Sequence, residues 1–347
     1  MPETMPVARF IEPNRPLELE DVPIPEPGPL EVVVRVEACG ICLSDVHLID
    51  GSLPAVTKPV TPGHEASGVI SAVGDLVSGW REGDRVSLMG GKPCGECSKC
   101  VRGRMDQCLA FLVMGFHYDG AWARYIKVPF FSLAAVPDDV VFEHAAIVAD
   151  AVATPYAALT DTAKLKSGET IGLWGIGGLG THAVQIARMI GAGYIIAVDP
   201  LESARDRALS LGADAALDPS SGDVVGEIRA LTEGKGLDVA VDLVGANAVM
   251  KQGVASLARA GRQVMVGYSI EPLALGPGIL LGVQSQSILG HLGYQPRHLD
   301  ALLGLLEHKR LDLSRSISDV IDLEDINDGV RRLSEKEGDP VRILVRP

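Results

Sequence analysis

The sequence predicts an α/β protein in which a doubly wound parallel sheet is combined with a second, mostly β domain. The first observation is a repeated alternation of strand and helix from about residue 168 to residue 290. The second is a glycine-rich turn at 175–180, placed between an apolar strand and an amphipathic helix. The third is a region of short β-branched runs among prolines and glycines before residue 150. A chain of 347 residues is also too long for one ordinary core, so two domains are expected.

The alternating region contains six candidate strands, which are short, apolar and bounded by polar or turn residues. These strands are 170–174, 194–198, 215–217, 238–243, 262–267 and 287–290. Between the first two, a helix is indicated by the spacing of Ala183, Ile186, Ala187 and Ile190, and Gly191 ends it. Further helices are predicted at 201–211, 224–232 and 247–260. Because parallel strands need crossover connections, the alternation predicts a parallel sheet with helices on both faces.

The first 150 residues have the composition of an irregular β domain, with short β-branched runs at 31–36 and 69–73. The segment 292–347 is amphipathic and charged, and we expect it to pack against that β domain. The expected division is therefore one domain comprising 1–152 and 292–347, and a second comprising 153–291.

The composition excludes several kinds of partner. The net charge of -14 and the 4% content of aromatic residues argue against nucleic-acid binding, which needs clustered cations and stacking side chains. The start, Met1-Pro2-Glu3-Thr4, has no basic segment leading into an apolar run, so no signal peptide is expected. The longest apolar stretches, such as 279–283, are too short to span a bilayer. We therefore expect a cytoplasmic protein with neither a membrane nor a nucleic acid as partner.

The glycine-rich turn predicts a dinucleotide site of the Rossmann type. It matches G-x-G-x-x-G, and its position between a strand and a helix is the context that supports the motif. The pyrophosphate is expected to lie on free N–H groups at the helix N-terminus. The residues of the turn are Gly175, Ile176, Gly177, Gly178, Leu179 and Gly180.

Asp199 ends the next strand, 19 residues after Gly180. A carboxylate at this position accepts hydrogen bonds from the ribose hydroxyls and repels a 2′-phosphate, so NAD is favoured over NADP. The alternative is an ordinary glycine-rich turn closed by a solvated aspartate.

Four cysteines form the pattern C-x2-C-x2-C-x7-C, within a lobe at 93–109. Four thiolates on a short loop rich in glycine and charge predict a closed tetrahedral zinc site with a structural role. An iron–sulfur cluster is the competing interpretation, but it favours a fourth cysteine three residues on and followed by proline. The four residues are Cys94, Cys97, Cys100 and Cys108.

A second set of metal-binding residue types is dispersed along the chain. Cys42, Ser44, Asp45 and His47 lie within one short segment, and a Gly-His-Glu sequence follows at 63–65. A Cys and a His offer two zinc ligands, whereas a catalytic zinc needs a third ligand and an open position for substrate. Each residue taken alone fits a buried Cys, a core His or a capping Ser.

In these motifs and their order, the chain resembles the zinc-containing medium-chain alcohol dehydrogenases over essentially all 347 residues. The resemblance implies that the first domain is GroES-like and that the glycine-rich domain binds NAD. It further implies that Cys42 and His64 bind the catalytic zinc, so that two zinc ions are expected per chain. Asp45 is expected to support His64, and Glu65 to lie close behind the metal as an alternative ligand.

The resemblance also assigns the remaining candidates. Ser44 and His47 are expected to relay the proton of the alcohol. Thr154 and Arg342 match positions that touch the nicotinamide and the pyrophosphate, and Arg205 and Gly267 are further candidates for cofactor contact.

Two departures from the family pattern bear on function. Many members place a Cys six residues before a Tyr, whereas this chain has Asp150 six residues before Tyr156. Cys39 fits a small buried residue better than a ligand, so Asp150 is the expected third ligand; the alternative is that it caps a helix beginning near Thr154. A similar Asp occurs in the branch that acts on secondary alcohols. Leu43 stands where some relatives place a basic residue, which predicts weaker cofactor binding.

The expected function is transfer of a hydride between NAD(H) and a small, secondary or cyclic, alcohol or ketone. A polyol or sugar dehydrogenase on the same scaffold is the main alternative. A zinc-free quinone or enoyl reductase and a non-enzymatic NAD-binding protein are disfavoured, because the ligands and relay residues are intact. The pocket is expected to come from 53–57, 109–117 and 269–281, whose apolar content favours an apolar substrate. A homotetramer or dimer with sheets joined edge to edge is expected by resemblance alone.

Overall fold

The computed structural model describes residues 3–53, 57–220, 222–275 and 278–347. The chain divides into two compact units. The first unit comprises Met1–Ala153 and Gly293–Pro347, and the second comprises Thr154–Leu292. Among the described residues, no helix combines the length and the apolar character that crossing a bilayer requires.

The strands in chain order are β1 (Thr4–Arg9), β2 (Glu18–Pro23), β3 (Glu31–Ile41), β4 (Ala66–Val73), β5 (Arg85–Leu88), β6 (Gly91–Lys92), β7 (Leu112–Val113), β8 (Tyr125–Pro129), β9 (Leu133–Ala135), β10 (Thr170–Trp174), β11 (Tyr194–Val198), β12 (Ala215–Leu217), β13 (Leu237–Asp242), β14 (Leu257–Met265), β15 (Ser287–Gly290), β16 (Asp319–Asp322) and β17 (Ile343–Arg346). The α-helices are α1 (Leu43–Ile49), α2 (Phe142–Ile147), α3 (Ala153–Ala157), α4 (Gly178–Ile190), α5 (Glu202–Ser210), α6 (Val224–Leu231), α7 (Asn247–Ser256), α8 (Ile279–Gln284), α9 (Pro296–Glu307) and α10 (Ile326–Ser334).

The main sheet of the first unit is built around the long strand β3. Its order is β16-β17-β3-β4-β5-β9, and β8 also pairs with β3. All of these pairings are antiparallel except that of β16 with β17. The valines of β3 explain its position, since Val32 and Val34 enter one core cluster while Val33 enters another on the opposite face. This is the period-2 burial of a strand covered on both faces.

The second unit contains a six-stranded parallel sheet in the order β12-β11-β10-β13-β14-β15. The chain runs outward from β10 to β12 and then returns to the other side of β10, which is the doubly wound order. The helix after the glycine-rich turn, α4, ends where Gly191 adopts a φ of 93°. The predicted α/β fold with a parallel sheet and a mostly β domain is confirmed.

One predicted element of the second unit differs from the structure. The helix expected at 247–260 ends at Ser256, and β14 begins at Leu257, where the chain pairs with Leu237 of β13. A register shift follows, and Ala260 adopts a φ of 61°. Pairing with β13 therefore outweighs the helix propensity of the Leu-Ala-Arg-Ala segment.

The segment that carries Asp150 is helical and begins earlier than expected. The helix starts with α2 at Phe142 and continues through a π-helical turn at Val148–Val152. The expected alternative, in which Asp150 caps a helix beginning near Thr154, is wrong because Asp150 lies inside the helical segment. π-helical turns are often found at functional sites.

Candidate active site

Three side chains from distant parts of the first unit converge on one point. Cys42 follows β3 and precedes α1, His64 precedes β4, and Asp150 lies on the π-helical turn. The donor atoms of these three residues lie within 4.8 Å of one another. The Cys42 thiol donates to Asp150 Oδ2 over 3.3 Å, and His64 Nε2 lies 3.8 Å from the same oxygen. Cys42 and His64 are buried, whereas Asp150 is partly exposed.

The chemistry of this donor set fits zinc. A thiol, an imidazole and a carboxylate supply three ligands and leave one position open, as in a catalytic site. Asp45, which is fully buried, lies 3.2 Å from His64 Nδ1 through its Oδ1 atom. Its Oδ2 atom accepts a hydrogen bond of 2.9 Å from the Cys42 backbone. This geometry fits the predicted support of His64 by Asp45, because a carboxylate at Nδ1 orients the ring so that Nε2 points toward Cys42 and Asp150.

Glu65 is not one of the three converging donor side chains. Its Oε1 atom accepts a 2.7 Å hydrogen bond from the Ala151 backbone, and its Oε2 atom lies 3.1 Å from Arg342 Nε. Both side chains are almost fully buried. Burial raises the pKa of Glu65 to about 8, against the opposing effect of Arg342. Glu65 is not among the converging donor atoms, so its role as an alternative ligand stays a prediction.

Arg342 lies at the back of the cluster. Its Nη1 atom donates to the Ile41 carbonyl over 3.2 Å, and its Nη2 atom lies 3.8 Å from Asp150 Oδ2. The structure therefore gives the guanidinium partners within the first unit, and its expected contact with the pyrophosphate stays a prediction. Cys39 is fully buried in the core beside this site and is not one of the converging donors, as expected.

The two relay candidates lie on α1, one turn apart. Ser44 Oγ is 3.3 Å from His64 Nε2, so the hydroxyl borders the three converging donor side chains. His47 is 40% exposed, with its Nδ1 atom 3.1 Å from Ser52 Oγ and 3.6 Å from Asp50 Oδ2. One hydroxyl therefore faces the buried cluster, while one imidazole faces solvent.

The four cysteines of the lobe also converge, with all four sulfur atoms within 4.8 Å of one another. Backbone N–H groups point at the sulfurs: Cys94 donates to Cys108 Sγ over 3.2 Å, and Cys97 donates to Cys94 Sγ over 3.4 Å. Hydrogen bonds from the backbone of Leu109 and Cys100 lower the pKa of Cys97 to about 6. Burial instead raises the pKa of Cys100 to about 12. The set of four thiols in one loop fits a closed zinc site.

The glycine-rich turn of the second unit has the geometry of a phosphate cradle. Gly175 adopts a φ of 89°, and a Cβ on Gly180 would overlap the Gly175 carbonyl. A Cβ on Gly177 would meet no atom within 4 Å, which is the open approach that a pyrophosphate needs. The Ile176 N–H donates to Asp199 Oδ2 over 2.7 Å.

Asp199 is 6% exposed, and its Oδ1 atom accepts from the Leu201 backbone over 2.9 Å. An ionised carboxylate has about four acceptor sites, so two backbone bonds leave capacity for ribose hydroxyls. Arg205 donates to the Asp199 and Pro200 carbonyls over 2.8 Å. Gly267 follows β14, where a Cβ would overlap the Gly245 backbone.

Sequence reasoning missed Arg207. Its Nη2 atom donates to the Ile176 carbonyl over 2.7 Å, and its Nε atom donates to Thr181 Oγ1 over 3.1 Å. The side chain therefore holds the shape of the glycine-rich turn. No motif marks this residue, and only its place on α5, two residues after Arg205, offered a signal.

The expected substrate-contacting segments are only partly described. Residues 54–56 and 276–277, which belong to two of them, lie outside the described residues. From the third, Phe116 approaches the imidazole of His64, with ring centroids 6.1 Å apart. Thr154, the expected nicotinamide contact, is buried in the second unit.

Two protein-family models match the chain. The model described as "Alcohol dehydrogenase GroES-like domain" matches residues 28–138, and the model described as "Zinc-binding dehydrogenase" matches residues 178–308. An "NAD-dependent alcohol dehydrogenase" from Sulfurisphaera tokodaii is 33% identical over 350 residues, which cover 98% of this chain and 100% of that protein. A "Sorbitol dehydrogenase" from Bacillus subtilis is 31% identical over 357 residues, covering 100% of this chain and 98% of that protein.

Among solved structures, the alcohol dehydrogenase from the archaeon Aeropyrum pernix superposes with a TM-score of 0.89 at 32% identity, covering 99% of this chain and 100% of that chain. The chain therefore belongs to the family of zinc-dependent medium-chain alcohol dehydrogenases. It is an NAD-linked oxidoreductase that acts on alcohols, and its two donor sets fit two zinc ions. The predicted family, reaction class and cofactors are confirmed.

Proposed function

We propose that this dehydrogenase acts on a small secondary or cyclic alcohol, and that Cys42, His64 and Asp150 hold its catalytic zinc. The observation that supports the proposal is the convergence of the Asp150 carboxylate with the thiol and the imidazole. The four cysteines of the lobe hold the structural zinc. The first unit is assigned the catalytic domain and the second unit the NAD-binding domain, with the boundaries expected near 152 and 292.

The side chains of the first unit divide the work of the reaction. When bound, zinc supplies Lewis acidity that lowers the pKa of the substrate hydroxyl, and NAD supplies the hydride acceptor. Ser44, whose Oγ lies 3.3 Å from His64 Nε2, accepts the proton of the substrate hydroxyl and releases its own hydroxyl proton toward His47. His47 passes the proton to solvent, because its imidazole is 40% exposed and hydrogen-bonded to Ser52. Asp45 keeps His64 in the orientation that the metal requires.

A substrate panel tests the substrate assignment. NADH formation with 1-butanol, 2-butanol, cyclohexanol and a hexitol is compared as kcat/KM. Phe116 beside His64 offers an apolar wall, which should disfavour the hexitol. The resemblance at Asp150 to the branch that acts on secondary alcohols supports a higher kcat/KM for 2-butanol and cyclohexanol than for 1-butanol. Highest efficiency with the hexitol would instead favour the polyol alternative, which the sorbitol dehydrogenase relative keeps open.

The preference for NAD is assigned to Asp199. The expected result is a higher kcat/KM with NAD than with NADP, because the carboxylate repels a 2′-phosphate. Asp199→Gly should lower that ratio, and Asp199→Asn separates loss of the charge from loss of the backbone hydrogen bonds to Ile176 and Leu201. Equal use of the two cofactors by the unmodified enzyme would refute the assignment.

The family leads us to expect a homo-oligomer, either a dimer or a tetramer. We place its subunit interface at the edge of the parallel sheet. β15 is the last strand of the sheet and pairs with β14 on one side. Exposed apolar side chains flank β15 in the sequence, namely Ile279, Leu280 and Val283 before it and Leu292 after it. Exposed patches of this kind mark interaction surfaces. Light scattering on the purified protein tests this, and a monomer at micromolar concentration would contradict it.

We also propose a cytoplasmic location, since the thiols serve metals rather than disulfides.

A further inference from the structure

Tyr294 is buried beside the catalytic cluster, although no motif includes it. It is 5% exposed and immediately precedes Gln295, the N-cap residue of α9. The start of that helix is tightly defined, because the Gln295 backbone donates to His298 Nδ1 over 3.0 Å and a proline occupies the first turn. Since α9 packs against the π-helical turn, the phenol ring reaches the backbone next to Asp150.

The hydroxyl of Tyr294 joins the segment that carries Asp150 to a segment at Gly90 that packs against His64. It accepts a 2.9 Å hydrogen bond from the Gly90 N–H and donates to the Ala149 carbonyl. Ala149 immediately precedes Asp150 on the π-helical turn. Gly90 packs against the backbone of His64, since a Cβ on Gly90 would lie 3.0 Å from the His64 carbonyl oxygen.

We propose that Tyr294 is a positioning residue for the catalytic metal site, fixing the carboxylate of Asp150 relative to the imidazole of His64. The proposal rests on the assignment of Asp150 as a zinc ligand. Asp150 lies in a π-helical turn, whose backbone is not held in the standard α-helical pattern. The carbonyl next to it is fixed from outside the helix by the Tyr294 hydroxyl. The Tyr294 hydroxyl is held in turn by the N–H of Gly90, whose segment packs against His64.

The test compares Tyr294→Phe with Tyr125→Phe. The first variant keeps the ring and removes only the bridging hydroxyl. The second removes a phenol hydroxyl from another buried tyrosine of the first unit, in a separate core cluster. Enzyme with both zinc ions bound is mixed with a chelator, and release of the catalytic zinc is followed against the zinc of the four-cysteine lobe as internal reference. The visible spectrum of enzyme with Co²⁺ at the catalytic site is a second readout.

Tyr294→Phe is expected to release the catalytic zinc about tenfold faster, the lower end of what partners outside the ligand set contribute. Its Co²⁺ bands should shift, while Tyr125→Phe keeps both properties of the unmodified enzyme. Unchanged release and an unchanged spectrum in Tyr294→Phe would overturn the proposal, even if turnover fell. Asp150→Ala tests the ligand assignment separately from the role of Tyr294. If this variant retains the catalytic zinc, Asp150 is not a ligand, and the proposed role of Tyr294 fails as well.

Discussion

The two zinc sites of this protein are built in opposite ways. The four-cysteine site lies within residues 94–108, and its sulfurs accept hydrogen bonds from the backbone of the same loop. The proposed catalytic site draws Cys42, His64 and Asp150 from three separate parts of the first unit. Its ligands are oriented by side chains, above all by Asp45.

This difference predicts different dependences on the fold. The lobe exposes Val101 and Leu109 rather than burying them, so the metal replaces the core that this short segment lacks. The proposed catalytic site instead needs the fold to bring three distant segments together, and buried Asp45 contacts both the His64 ring and the Cys42 backbone. Substitutions at the proposed catalytic site should therefore lower turnover, whereas substitutions in the lobe should lower stability, and each should remove the zinc of its own site.

The largest effect on turnover is expected from Asp150→Ala. Loss of a ligand should lower kcat/KM by more than the about 10–100-fold that supporting partners contribute. Zinc analysis should show the loss of one equivalent, with the lobe still loaded, whereas Asp138→Ala removes an exposed aspartate and serves as control. If Asp150→Ala keeps both zinc equivalents and its rate, the catalytic site does not include Asp150.

Asp45→Asn should have the next largest effect. The amide keeps the size of the side chain but weakens the interaction with His64 Nδ1, so zinc affinity at the catalytic site is expected to fall about 10–100-fold. Competition with a chelator measures this affinity, and Asp75→Asn on the exposed surface is the matched control. Equal affinities in the two variants would show that His64 needs no carboxylate behind it.

Mild chelation of the unmodified enzyme should distinguish the sites by rate. Only one site is closed by four thiolates, so the open catalytic site should lose its metal first. Activity is expected to disappear while one zinc equivalent remains bound. A single equivalent in freshly purified, active enzyme would contradict the presence of two sites.

The smallest effect on turnover is expected from Cys100→Ser, which removes the thiol of the buried cysteine of the lobe. The enzyme should lose one zinc equivalent and several kcal/mol of unfolding free energy. Turnover per folded molecule should change little at low temperature. Thermal unfolding and metal analysis check this result, and a loss of turnover as large as that of Asp150→Ala would remove the distinction between the sites.

The same contrast explains how much could be predicted from sequence. The lobe and the glycine-rich turn are contiguous motifs, so spacing alone located Cys94 to Cys108 and Gly175 to Gly180. Hydrophobic periodicity predicted the parallel sheet and its helices. The exception is the helix predicted at 247–260, which ends early because β14 pairs with β13. Asp150 required a family resemblance, since nothing nearby in sequence identifies it as a ligand.

The side chains that support the two sites could be identified only from the structure. The hydrogen bonds of Tyr294 join residues 90 and 149, and the ion pair of Arg342 reaches Glu65. Arg207 contacts the glycine-rich turn from α5. Such contacts depend on which segments the sheets bring together, and a single sequence does not reveal this for isolated Tyr or Arg residues.

The pairing of β17 has a consequence for the order of folding during synthesis. Ile343 and Leu344 lie opposite Ile41 and Gly40, so closing the first sheet requires the most distant pairing along the chain. All strands of the second unit, β10 to β15, are translated before β17. Since nascent domains fold as their residues emerge, the parallel sheet can be complete while the main sheet of the first unit still lacks β16 and β17. A ribosome-stalled chain ending near residue 320 should thus be protease-resistant around 170–290 and cleavable around Cys42.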